Sequence, residues 1–154
     1  MQQKGITIIS LVITIILLLI LSSIGIGVGI NSIKSTTDSV LTSELIMVQH
    51  ATLEQYTKYK KTNDKAYLVG NKMNIEEVKD IANQMGISLV NIPNTYENSD
   101  YYKLDKASLI EMGIQNSNDE YIINYITGEV FNITQKATSN HQPLYVKANS
   151  FYTE

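Results

Sequence analysis

Cysteine is absent from this chain of 154 residues. That excludes disulfides, thiol nucleophiles and thiolate metal sites. Arginine is absent too, so all twelve basic residues are lysines. The only two histidines, His50 on a predicted helix and His141 in a polar loop, read as solvated side chains. No Gly-rich phosphate loop, His-Glu-x-x-His motif or Gly-x-Ser-x-Gly elbow occurs. The sequence therefore nominates no catalytic residue, no metal ligand and no cofactor, and it reads as a protein that is not an enzyme. Glu76, Glu77 and Asp80 form an acidic cluster. Acids in a first helical turn are expected from the helix dipole, and a cation site is the less economical reading. Residues 35–154 hold ten lysines and all fifteen acids, a net charge of −5. That balance lacks the basic stripe of a nucleic-acid domain, so no direct nucleic-acid partner is expected. Lys58, Lys60, Lys61 and Lys65 read as a solvated helix end, where positive charge suits the dipole.

The largest absence is of charge. Twenty-nine uncharged residues separate Lys4 from Lys34. Within them, residues 6–30 read ITIISLVITIILLLILSSIGIGVGI, a run roughly 38 Å long if helical. Roughly 20 apolar residues cross a bilayer core. A removable signal peptide has an apolar core of roughly 7–15 residues. Ser22 and Ser23 imitate its cleavage site, but the apolar run continues past them to Ile30. The segment reads as a lasting membrane anchor.

The run opens as Lys4-Gly5-Ile6-Thr7-Ile8-Ile9 and continues through Val12-Ile13-Thr14-Ile15-Ile16. This resembles the leader of type IV prepilins and of type II secretion pseudopilins, and in particular the pilin-like proteins of low-GC Gram-positive bacteria. The resemblance implies a leader of residues 1–5, cut after Gly5 by a prepilin peptidase on the cytoplasmic side, and methylation of the new N-terminus at Ile6. Glycine suits such a cleavage position because, without Cβ, its backbone can fit closely into an active site. The family usually carries Glu at the fifth mature position, where this chain has Ser10. A carboxylate in the membrane is costly unless paired, so its usual presence implies an assembly role that Ser10 cannot fill by charge. Three outcomes stay open: a minor or tip subunit, an assembly that satisfies the neighbouring amine with hydroxyls and carbonyls, or a chain that does not polymerise. Gly25, Gly27 and Gly29 weaken the helix by very roughly 1 kcal/mol each relative to Ala. They read either as the segment that stretches on assembly or as small residues that let membrane helices approach closely.

No Pro or Gly occurs between Ile30 and Gly70, so nothing forces a break. Leu41, Leu45, Val48, Thr52 and Tyr56 recur at helix-face spacing. Ile46, Leu53 and Tyr59 are expected to broaden that stripe, while Glu44, Gln49 and Lys58 are expected to lie away from it. One helix from about residue 6 to 62 would be roughly 85 Å long; a membrane helix followed by a separate juxtamembrane helix is the alternative.

Residues 63–154 read as one small domain. Asn74 and Glu77 suggest a capped helix start with an apolar face of Ile75, Val78, Ile81, Ala82 and Met85, closed by Gly86. Residues 87–92 read as a strand ended by Pro93, and 94–100 as a polar loop. Tyr101 to Leu104 reads as extended, and Asp105 caps a helix closed by Gly113. Residues 120–126 and 129–134 flank Thr127-Gly128 and predict a hairpin. Leu144 to Val146 reads as an edge strand. The stretches 101–114 and 119–130 also resemble the C-terminal region of those pilin-like proteins. Asn132-Ile133-Thr134 matches a glycosylation acceptor pattern, and reads as chance in a strand.

The expected fold class is α+β. A long N-terminal helix, with a transmembrane half at 6–33 and an amphipathic half at 34–62, would pack on a small antiparallel sheet domain with short helices. The resemblance implies a structural filament subunit with its N-terminus cytoplasmic and residues 63–154 outside. Its implied partners are the membrane, like subunits, a prepilin peptidase, a membrane platform protein and an assembly ATPase. The alternative is an uncleaved single-pass protein with an extracytoplasmic binding domain.

Overall fold

The computed structural model describes the backbone of residues 3–90 and 100–146, and side-chain environments at 10–18, 34–90 and 100–146. The fold is α+β. Helix α1 runs Gln3–Thr62, α2 Ile75–Gln84 and α3 Lys106–Glu111, with a short 3-10 turn at Lys65–Tyr67. Five strands, β1 Asn71–Lys72, β2 Tyr101–Leu104, β3 Tyr121–Asn124, β4 Val130–Asn132 and β5 Tyr145–Val146, lie in sequence order in one sheet. Every neighbouring pair is antiparallel. The chain divides into two compact units, Met1–Thr37 and Asp38–Glu154.

The second unit is a sheet covered on both faces, because side chains alternate along each strand. Leu104, Tyr121, Ile123 and Val130 face one way and join Leu45 and Val48 of α1 and Leu109 of α3. Tyr101, Ile122 and Phe131 face the other way, onto Val78 and Ala82 of α2. β3 is the centre of this arrangement, and all four of its residues are buried.

Local sequence sets the helix ends. The Asn74 side chain accepts from Glu76 N at 3.0 Å, and Asp105 accepts from the amide and hydroxyl of Ser108. Those two bonds hold the Asp105 carboxyl below its ordinary value. α2 and α3 both stop in a Schellman turn: Ile87 N donates to Ala82 O at 2.9 Å, and Ile114 N to Leu109 O at 2.8 Å. Gly70 has φ +107°, and a Cβ there would stand 2.8 Å from both Leu104 Cδ2 and Lys103 O. Only glycine lets the chain enter β1 at that closeness.

The structure corrects the sequence reading at several positions. Residues 87–90 form no strand; Ile87 seats in the α2-side core, and the Val90 amide is taken by a side chain, the Glu129 carboxylate, instead of a strand neighbour. Residues 91–99, with Pro93, lie outside the described residues. Tyr125 and Ile126 belong to the β3–β4 turn, because the Asn124 side chain accepts from the amides of Ile126 and Thr127 and curls the chain there. Ile75 is exposed at the start of α2. On α1, Ile46 and Leu53 are 44 % and 37 % exposed, while Gln49 and Glu44 are drawn to the sheet. Tyr59 is buried as expected.

Candidate functional site

α1 carries the processing and assembly residues that the sequence proposes. Gly5, Ile6, Gly25, Gly27 and Gly29 fall within its helical span, but their surroundings lie outside the described residues. Ser10 is described: it is exposed, and its carbonyl accepts the Thr14 hydroxyl at 2.8 Å. Leu11, Val12, Ile13, Ile15, Ile16, Leu17 and Leu18 follow it, each 48 % to 61 % exposed. At 100° per residue these seven side chains point to every side of the helix. Thr14 adds no free donor, because its hydroxyl is bonded back to the helix. A helix that is apolar all round belongs in a protein core or a membrane. Among the described residues no helix is long and apolar enough to cross a membrane; residues 5–9 and 19–33, the rest of the uncharged run, lie outside the described side chains.

Polar chemistry inside the second unit centres on Glu129, which is fully buried. Its Oε1 accepts from Val90 N at 2.9 Å and Tyr145 OH at 2.8 Å. Its Oε2 accepts from Tyr101 OH at 2.5 Å and Thr127 Oγ1 at 2.8 Å. Four donors from four chain segments therefore meet on one carboxylate. Burial first, and the Glu129 carboxylate second, hold the Tyr101 and Tyr145 hydroxyls above the ordinary phenol range. A phenol so held is a hydrogen-bond donor and a poor base, which suits a crosslink and not proton abstraction. Sequence reading missed Glu129. The available signal was an acid set between Gly128 and the apolar pair Val130-Phe131, a setting where Glu is depleted.

A second network joins α1 to β3. Tyr121 OH donates to Glu44 Oε2 at 3.1 Å and lies 3.1 Å from Ser117 Oγ. Burial pushes the Tyr121 phenol up to about 12, against a lowering contact from Ser117. The serine thus meets a phenol that stays protonated at neutral pH, which is no base to activate it. The Asn132 side chain is buried and donates to Asp119 at 2.8 Å, so the glycosylation pattern is closed in the fold. His50 and His141 are exposed. Glu76, Glu77 and Asp80 are exposed on α2, with Glu76 paired to Lys79 at 3.0 Å. Among the described residues no three His, Cys, Asp or Glu side chains are grouped to hold a metal ion.

Compared with protein-family models, with curated proteins and with solved structures, the chain matches none.

Proposed function

We propose that this chain is a structural subunit of a type IV pilus-like or type II secretion pseudopilus filament. In this reading it is inserted with its N-terminus in the cytoplasm, clipped after Gly5 by a prepilin peptidase, methylated at Ile6, and assembled through its N-terminal helix. The first half of α1 lies in lipid before assembly and against like helices after it, and the amphipathic half carries the sheet domain outside. A membrane platform protein and an assembly ATPase supply the lift.

The observation that carries the reading is the stretch 10–18, with seven apolar side chains about half exposed on every side of one helix. Water is the wrong solvent for that surface: each such side chain gains roughly 1.5–3 kcal/mol on full burial. Lipid or neighbouring helices are the surroundings that recover this. The uncharged run around it and the Lys4-Gly5-Ile6-Thr7 opening add the processing step.

The test is the N-terminus of the mature protein, read by mass spectrometry in cells with and without an active prepilin peptidase. The expected start is methylated Ile6, lost without the peptidase and lost on Gly5→Val. An intact Met1 in both strains overturns the filament reading and leaves an uncleaved single-pass anchor with a binding domain.

A further inference from the structure

We propose that the seat of α1 on the sheet is a shear clamp, a joint whose polar contacts are loaded together when tension enters along the helix. Three α1 side chains reach three separate segments. The Asp38 carboxylate accepts from both the amide and the hydroxyl of Ser139, at 2.9 and 2.5 Å. The Glu44 carboxylate accepts from Tyr121 OH at the start of β3. Gln49 Nε2 donates to the Gly128 carbonyl in the β3–β4 turn at 2.7 Å.

Their placement matters more than their number. Asp38 and Gln49 are three turns apart on one flank of the buried stripe, and Glu44 sits on the other flank, by the helical period of 100° per residue. Apolar burial between them resists lifting the helix away but is non-directional, so it resists sliding weakly. Hydrogen bonds weaken steeply once misaligned, so these three set the axial register and oppose rolling to either side. Their span along the axis is roughly 17 Å, and a pull along α1 strains all of them at once. Of the three receivers, Tyr121 lies on β3, the middle strand of five, paired on both sides; Gly128 lies in the turn after it, and Ser139 lies between β4 and β5. The Glu44 tie thus loads the centre of the sheet, where no single edge strand can peel away to relieve it, and the Gln49 tie loads the turn that continues that strand. This deepens the filament reading, in which tension passes between subunits along α1, but its test requires neither cleavage nor assembly.

The test is force spectroscopy on the full chain in detergent. With no native cysteine, introduced pairs are unambiguous handles. Handles at Lys34→Cys and Gln84→Cys pull α1 against the sheet; handles at Gln84→Cys and Ile110→Cys load the domain without pulling α1. Asp38→Ala, Glu44→Ala and Gln49→Ala are each expected to speed unfolding at constant force about tenfold through the first pair, and by less than about twofold through the second. Glu44→Gln, which keeps an acceptor for Tyr121, is expected to restore most of the loss. Equal acceleration in both geometries, or none in the first, overturns the clamp. Both outcomes are read whether or not the chain is a peptidase substrate.

Discussion

Glu129 is the side chain on which the second unit depends most heavily for its polar interior. Removing one partner of a buried hydrogen bond leaves the other with its full desolvation cost, about 1–3 kcal/mol per group. Glu129→Ala orphans three hydroxyls and the Val90 amide together. The expected loss is about 3–5 kcal/mol, measured as a fall in the urea midpoint of the domain. Glu129→Gln separates two kinds of donor. The Val90 amide cannot turn, so the Gln carbonyl stays facing it. The Tyr101 and Thr127 hydroxyls can rotate and accept from the new amide. The expected loss is about 1–2 kcal/mol; a loss as large as that of the Ala variant would show that the charge itself is required, and small losses in both would show that the carboxylate's contacts contribute little. Asp38 acts at the surface with an opposite reach, joining positions far apart in sequence. The Ser139 side-chain hydrogen bond, and then the Ser139 amide, lower its pKa. A lowered carboxyl contributes stability above its unfolded value and loses it as pH falls through the folded value, so that tie is complete at neutral pH.

At the scale of an element, α1 from Asp38 onward decides how the sheet is covered. Its apolar residues do not all serve the same face. Leu45 is 2 % exposed and sits in the core with Tyr121 and Ile123, while Leu53 is 37 % exposed. Leu45→Ala is expected to cost about 2–5 kcal/mol by cavity formation, and Leu53→Ala less than about 0.5 kcal/mol. Chemical denaturation of the two variants side by side checks this, and similar losses would mean that the outer face is covered too. This contrast also shows where sequence ran out. Helix-face spacing located Leu41, Leu45, Val48 and Thr52 because they share one period. It misassigned Ile46 and Leu53, since hydrophobicity alone cannot tell a core edge from an exposed flank. It also sent Gln49 and Glu44 to water, because their partners, a turn carbonyl and a phenol, come from chain more than seventy residues on. The capped starts at Asn74 and Asp105 and the stops at Gly86 and Gly113 were legible, being local chemistry. β1 was not: its two residues, Asn71 and Lys72, carry no β signal and pair only because β2 lies beside them. Glu129 stood out only as an acid in an apolar setting; its role was not legible, since two of its donors, Tyr101 and Tyr145, converge only in the fold. The proposal of Gly5 and Ile6 as processing residues rests on resemblance alone.

At the scale of the whole molecule, the described side chains of the two compact units differ in where their apolar groups lie. Every described core residue, from Leu45 to Leu144, belongs to Asp38–Glu154. That unit closes its core on both sheet faces, and among the described residues it leaves no buried side-chain nitrogen or oxygen without a partner. The described side chains of Met1–Thr37 contribute nothing to that core and expose seven large apolar groups in residues 10–18. Folding of the second unit therefore draws no apolar burial from those side chains. A fragment of residues 34–154 is expected to remain in solution without detergent, to give the circular dichroism of an α+β domain, and to unfold in one cooperative step, as single domains of this size do. The full chain is expected to need detergent or lipid to stay dispersed. Size-exclusion chromatography and urea titration of both decide the matter. An aggregating or non-cooperative fragment would mean that the sheet domain needs the apolar segment as a folding partner, whereas a well-behaved one shows that residues 1–33 are dispensable for its folding.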